Sequence, residues 1–260
     1  MVEIAAVASG FLTGIIVGVT GVGGGSSMTP ILIFLLGIAP QTAVGTDLLF
    51  ATLTKLVAVK VHGSRGTIDW QVVRRLAWGS IPAACVMLLV MRQISLRTSD
   101  ADFIMPALGV ALVLTGFALL FKRQLHEIGR KLRSTTPDAF KRLQPGFTVL
   151  AGVIVGAMVT MTSVGAGALG TVMLVYLYPL RLTPAKVVGT DLAHAIPVAL
   201  IAGLGHVALG NINFALLIWL LIGSLPGVWI GSLMSAKVPD SIVRNAIAVT
   251  LLMVGLRILA

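Results

Sequence analysis

The five residues Val44-Gly45-Thr46-Asp47-Leu48 return unchanged at 188–192, a spacing of 144 positions. The spacing holds without a gap from Gly21/Gly165 to Leu89/Leu233. It carries with it Gly23/Gly167, Pro40/Pro184, His62/His206, Gly66/Gly210, Gly79/Gly223, Ser80/Ser224 and Pro82/Pro226. Of the 69 paired positions in that window, 20 are identical. Unrelated apolar segments share several-fold fewer, so the chain is one unit built twice. In a membrane protein, such duplication points to a transporter whose solute sits between the copies.

Composition places the chain in a bilayer. Hydrophobic residues make up 57% and charged residues 11%, with a mean hydropathy of +1.02, whereas soluble domains carry about 25% charged residues. Apolar runs near 3–20, 43–61, 76–91, 103–121, 146–162, 168–180, 187–205, 214–236 and 241–259 approach the ~20 residues that span hydrocarbon. Each must be helical, because lipid offers backbone N–H and C=O groups no partner. A barrel would need apolar–polar alternation, and the runs show none. The fold expected is therefore an all-α polytopic membrane protein. The net charge of +10 does not point to nucleic acid, since the basic residues sit between spans. Cys85 stands alone, so no disulfide or cysteine-based metal site follows, and no cofactor is expected. Residues 4–20 read as a retained first span rather than a secretory leader.

Charge bias assigns the sides. Residues 62–75 contain Arg65, Arg74 and Arg75, and 122–144 holds seven Lys/Arg against Glu127 and Asp138. Both read as cytoplasmic, with the charge-balanced loop 92–102 outside. In the second copy the bias swaps. Segment 206–213 has no Lys or Arg, while 181–186 gains Arg181 and Lys186. The simplest account is an inverted-topology repeat, with parallel repeats left open. Each repeat would hold a Gly-broken helix pair, re-entrant or made of short spans, followed by three transmembrane helices. Residues 1–121 form the first transmembrane repeat, 122–145 a basic cytoplasmic linker and 146–260 the second repeat. The membrane expected is the bacterial inner membrane.

The breaks are Gly21-Val22-Gly23-Gly24-Gly25-Ser26-Ser27 and Ser163-Val164-Gly165-Ala166-Gly167-Ala168-Leu169-Gly170. Thr29 reads as a cap and Pro30 as the opening of the second short helix. The second break matches a dinucleotide-binding string, but that motif needs a βαβ unit, so it is rejected. Small residues for close helix packing would explain both breaks. The functional reading is that unwound glycine backbone exposes N–H donors beside a helix N-terminus, a setting suited to an anion.

Few polar residues interrupt the spans. Asp47 and Asp191 occupy equivalent apolar surroundings, where an isolated carboxylate costs at least ~2.5 kcal/mol. They are either caps of a helix restarting after Gly45 or proton-coupling groups. Lys55, whose copy is Ala199, either snorkels to the interface or attracts an anion. Thr46 and Thr190 offer hydroxyls, and His194, one turn from Asp191, is a hydrogen-bonded or titrating histidine. His62 and His206 read as interfacial. The candidate anion cradle is thus Gly21, Gly23, Gly24, Gly25, Ser26, Ser27, Thr46, Lys55, Ser163, Gly165, Gly167 and Thr190. Asp47, Asp191 and His194 are the candidate proton relay. The alternative is a divalent-cation or proton-coupled cation transporter using Asp47 and Asp191. No nucleophile–base pair supports an enzyme.

The constellation of Gly-rich break, Val-Gly-Thr-Asp at 44–47, Gly-Thr-Ile-Asp at 66–69 and Gly-Ser-Ile-Pro at 79–82 resembles the TauE/SafE sulfite exporter family. Its second copy is Val-Gly-Thr-Asp-Leu-Ala-His at 188–194, Gly-Asn-Ile-Asn at 210–213 and Gly-Ser-Leu-Pro at 223–226. The resemblance implies an inner-membrane permease for small sulfur-containing anions such as sulfite, thiosulfate or organosulfonates. The partners expected are a small anionic substrate and the lipid bilayer, with a homo-oligomer left open. The expected motion is rocking of one repeat against the other.

Overall fold

Long apolar runs can satisfy their backbone in lipid only by coiling, and each such run is helical in the computed structural model of this chain. The structure describes residues 2–20, 25–63, 66–95, 100–135, 137–234 and 240–260. Among them are eleven α-helices and no strand. The first half supplies α1 (Val2–Thr20), α2 (Gly25–Phe34), α3 (Pro40–Gly63), α4 (Trp70–Ser95) and α5 (Asp100–Leu120). After α6 (Lys122–Thr135), the second half supplies α7 (Pro137–Thr162), α8 (Ala168–Leu177), α9 (Pro184–Ala208), α10 (Phe214–Met234) and α11 (Asp240–Leu259). The linker is thus helical, formed by α6 and the start of α7.

Among the described residues five helices, α3, α4, α7, α9 and α10, are long and apolar enough to cross a membrane, and α5 and α6 meet at a bend of 66°. Large side chains such as Trp78 and Trp229 lie 77% and 70% exposed on the outside, a surface that suits lipid and not water. The chain is a multi-pass membrane protein. α8, with its 10 residues, rises ~15 Å, half of a ~30 Å hydrocarbon core. The Gln144 side-chain amide donates to the Leu177 carbonyl, so α7 and α8 close into a hairpin whose tip is the second glycine break.

Repeat spacing carries over to the helices. α3 and α9 open on the paired prolines Pro40 and Pro184, and α4 and α10 on Trp70 and Phe214. Thr183 caps α9, accepting the Lys186 N–H at 3.4 Å. α3 is continuous through Gly45, so Thr46 and Asp47 do not begin a new helix. α2 starts at Gly25 and contains Pro30, so Pro30 does not open it.

Copies meet across the centre of the molecule. A methyl at Gly45 would strike the Asn211 carbonyl and the His206 side chain, while one at Gly203 would strike Leu49. Rising numbers on α3 therefore meet falling numbers on α9, and the equivalent helices run antiparallel. The same holds for α5 and α11, where Gly109 faces Leu259 and Gly116 faces Leu252. Reciprocal bonds tie this crossing: Thr46 Oγ1 accepts the Asn213 N–H at 3.1 Å, and Thr190 Oγ1 accepts the Asp69 N–H at 3.0 Å. Asn213 and Asp69 in turn cap α10 and α4, accepting from Leu216 N at 3.0 Å and Val72 N at 3.2 Å.

The packing does not divide along the repeat boundary. α1 lies along α10, with Gly10 against Leu220 and Gly14 against Ser224, and α4 lies along α7, with Leu76 against Gly152 and Ser80 against Gly156. The most extensive helix contacts, α1 with α10, α4 with α7, α5 with α11 and α3 with α9, all join one half to the other. Any motion of one repeat against the other must therefore slide or re-pack these interfaces. Such glycines admit close backbone approach, the main source of helix association in lipid.

An interlocked fold predicts mutual dependence of the halves. Expressed separately, 1–121 and 122–260 should each aggregate in mild detergent, whereas co-expressed they should co-purify as one monodisperse complex. A monodisperse 1–121 fragment with its own cooperative melt would contradict the interlocking.

Candidate transport site

α7 ends at Thr162 because the next residues cannot continue it. Ser163 has φ 59°, Gly165 φ 118° and Gly167 φ 116°. The latter two values belong to a region that only glycine enters at low cost. Thr162 Oγ1 accepts the Val164 N–H at 3.1 Å, and Gly165 O accepts the Gly170 N–H at 3.1 Å, closing the turn into α8. Its N-cap residue, Gly167, has no side chain of its own to cap α8. The segment is buried, with Ser163 and Ala166 each 3% exposed, as irregular backbone at membrane depth must be.

Residues from the other elements converge on this tip. Lys55, from α3 in the first half, is 1% exposed and donates through Nζ to the Ala166 carbonyl at 3.2 Å. It does not snorkel. A carbonyl freed by the break accepts it instead. An ammonium has three donors, and one is so used. Asp191, from α9, places its carboxylate on the first turn of α8, so that a methyl at Gly170 would overlap Oδ1. The Gly167 N–H faces the same carboxylate. Asp47 accepts from Thr29 Oγ1 at 2.5 Å, and the Ser163 side chain lies beside it. Lys55 is within electrostatic range of Asp47, Asp191 and His194. His194 Nε2 shares a hydrogen bond with Ser80 Oγ at 2.8 Å.

Buried polar atoms almost always find partners. Among the described residues, Asp47 Oδ1, both Asp191 oxygens and Ser163 Oγ lack a partner at hydrogen-bonding geometry. Both carboxylates are within electrostatic range of Lys55, and Ala166, whose carbonyl Lys55 reaches, belongs to a buried apolar cluster with Val44, Leu48, Val155, Val159, Leu169 and Val198. Apolar surroundings strengthen every charge interaction at this point.

The structure thus gathers Lys55, Asp47, Asp191, His194, Ser163, Gly165 and Gly167 at one place. Thr46 and Thr190 stand apart, at the latches to Asn213 and Asp69. Gly21, Gly23 and Gly24 lie outside the described residues, as do the side chains of Ser26, Ser27, Lys60 and His62; Gly25 begins α2. His206 is not interfacial: it is buried, and its Nε2 donates to the Thr160 carbonyl at 3.0 Å. Among the described residues no three His, Cys, Asp or Glu side chains converge to hold a metal ion.

Three participants were not singled out from the sequence: Thr29 as a donor to Asp47, Ser80 as the partner of His194, and the Ala166 carbonyl. The repeat holds a signal for one of them. Ser80 and Ser224 are copies, yet His194 pairs with Phe50 in the alignment, so only one serine faces an imidazole; Phe50 sits in an apolar cluster with Met28 and Leu32. Lys55 departs from symmetry in the same way, since Ala199 lies in an apolar cluster. Departures from the duplicated pattern mark the site.

Coupling between Lys55 and the carboxylates is measurable as non-additivity. Lys55→Met should lower the melting temperature in detergent by several degrees, because it leaves buried carboxylates without their cation. Adding Asp191→Asn should restore at least half the loss, a coupling of about 1–3 kcal/mol. Strictly additive losses would place the two groups in separate environments.

The family profile described as sulfite exporter TauE/SafE matches residues 6–258. The chain is 35% identical over 255 residues to "Probable membrane transporter protein YjnA" of Bacillus subtilis, covering 96% of this chain and 97% of the relative. It is 25% identical over 253 residues to "Probable membrane transporter protein YdhB" of the same organism, covering 96% and 97%. A "Probable membrane transporter protein" of Haemophilus influenzae is 27% identical over 165 residues, covering 61% of this chain and 57% of that one. No solved structure matches the chain. With its broken hairpin, its buried charges and a family match over nearly its whole length, this chain belongs to the TauE/SafE sulfite exporter family of membrane transporters.

Proposed function

We propose that the chain is a secondary transporter that moves a small sulfur-containing anion of the sulfite, thiosulfate or organosulfonate class across the bacterial inner membrane together with a proton. The observation that carries this reading is the Asp191 carboxylate resting on the first turn of α8, beside Lys55. A helix N-terminus and an ammonium together favour a small anion. In this structure the chain's own carboxylate holds that seat.

Charge balance then links anion and proton. Asp47, Asp191 and Lys55, all ionised, sum to one negative charge, and a second negative charge in so apolar a place is costly. A proton on Asp191 removes its claim on α8 and leaves the Gly167 N–H, the α8 terminus and Lys55 for the solute. The two therefore travel in the same direction, set by their gradients. Ser163 Oγ and Asp47 are further polar groups within the site, and Ser80 holds His194 in place.

The family name supports sulfur oxyanions; the polar groups alone support any small anion. Divalent-cation transport fits less well, because the buried Lys55 ammonium lies within electrostatic range of both carboxylates and already offsets part of their charge. The antiparallel run of α3 and α9, with the swapped charge bias of 62–75 and 181–186, supports repeats inserted in opposite orientations, with α6 on the cytoplasmic side. Because α1 packs with α10 and α4 with α7, the moving bodies are these cross-paired helices turning about the α3–α9 crossing.

Proteoliposomes with labelled sulfite or thiosulfate test the proposal. An inward proton gradient should drive saturable anion uptake, with alkalinisation outside that requires the anion. Asp191→Asn should keep anion exchange while losing gradient-driven accumulation. Folded protein that moves no sulfur oxyanion, or moves one with no proton, would overturn the proposal.

A further inference from the structure

The segment between the two halves carries the densest run of basic residues in the chain. α6 leaves α5 at 66°, so it does not continue the direction of that span. One side of it packs on α8, with Gly129 against the Tyr176 carbonyl and His126 Nδ1 at 3.3 Å from the Val175 carbonyl. Its other side carries Arg123, Glu127, Arg130 and Lys131, all exposed. The helix thus has the strongly two-faced character of an interfacial helix.

Between α6, α7 and α8 runs an apolar groove of about 520 Å³, lined by Leu132, Phe140, Phe147, Leu150, Ile154 and Tyr176 among others. Along α7, from Phe140 to Ile154, it extends ~21 Å, enough to follow one leaflet of a ~30 Å core. Its polar end is cationic. The Arg133 guanidinium lies 6.0 Å from the centroid of the Phe140 ring, which itself lines the groove. Lys141 and Arg142 follow Phe140 and are exposed. Arg123 pairs with Glu127 within this segment, 3.4 Å apart. Arg130, Lys131, Lys141 and Arg142 make none with the described residues.

We infer that this groove is a binding site for an anionic phospholipid, its acyl chain against α7 and its phosphate against the cations of α6 and the start of α7. An apolar trough alone would accept any lipid. Seven cations against two acids over 122–144 select a negative headgroup, by charge-assisted hydrogen bonds to phosphate. The site also touches the transport hairpin from outside: Tyr176 and Leu177 line the groove, and Leu177 accepts the hydrogen bond from Gln144 that closes α7 on α8. The inference stands whichever solute the protein carries.

The test uses the full-length protein in nanodiscs of phosphatidylcholine alone or with phosphatidylglycerol, and native mass spectrometry of the detergent-purified protein. Phosphatidylglycerol should raise the melting temperature by several degrees over phosphatidylcholine, and one anionic lipid should remain bound in the spectrometer. The variant R130Q/K131Q/K141Q/R142Q should lose most of that shift, while Arg74→Gln, which removes an exposed cation of α4, should keep it. Inorganic phosphate added to phosphatidylcholine discs should give no shift. The inference is overturned if wild-type protein shows no preference for the anionic lipid, or if the quadruple variant keeps the whole shift. It is likewise overturned if free phosphate reproduces the shift, or if the groove proves to be covered by a second copy of the chain.

Discussion

The antiparallel crossing of α3 and α9 is the contact on which the rest of the molecule depends. Two glycines, Gly45 and Gly189, let the helices approach each other's partner loops, with Asn211 O and Thr67 O in their path. Two threonines then accept backbone N–H groups from the opposite half. Because the acceptors sit in the same motif of both copies, one sequence solution serves both ends of the crossing. Fixing α3 against α9 in this way sets α4 and α10 at the crossing's ends. It also turns Asp47, Lys55 and Asp191 inward, where each meets a broken helix.

From that crossing the energetics divide cleanly. The outer ring, α1 with α10 and α4 with α7, is held by close backbone packing at glycines, which a bilayer rewards through dispersion and not through the hydrophobic effect. The centre is polar and incompletely bonded, where buried groups are costly. Stability thus resides in the cross-paired helices, and the centre can afford unsatisfied carboxylates. Transport proteins need such a place, because a solute held too well cannot leave.

Much of this was legible in the sequence, for a physical reason. Lipid leaves a spanning backbone one conformation, so nine apolar runs gave helices at the right places, and Pro40 and Pro184 marked two helix starts. The glycine break at 163–170 was legible because no helix tolerates that density of glycine at positive φ. What stayed hidden was pairing. Nothing in residue spacing says that Lys55 reaches the Ala166 carbonyl 111 positions away, or that α1 chooses α10 over its own half. The close packing of helices across the repeat boundary was hidden for that reason: copies in sequence need not be separate bodies in space. Thr46 and Thr190 had the chemistry of solute ligands, but a hydroxyl beside a loop N–H forms the nearer bond. Asymmetry between the copies was the best unused signal, since Lys55/Ala199 and His194/Phe50 both fall at the centre.

The most direct measurement is a structure determined with sulfite or thiosulfate present at acidic pH. The account predicts density for the anion between Lys55 Nζ and the 165–170 backbone, with the Asp191 carboxylate displaced from the first turn of α8. Anion density elsewhere in the membrane domain, with Lys55 still bound to Ala166 and Asp191 still on α8, would contradict it.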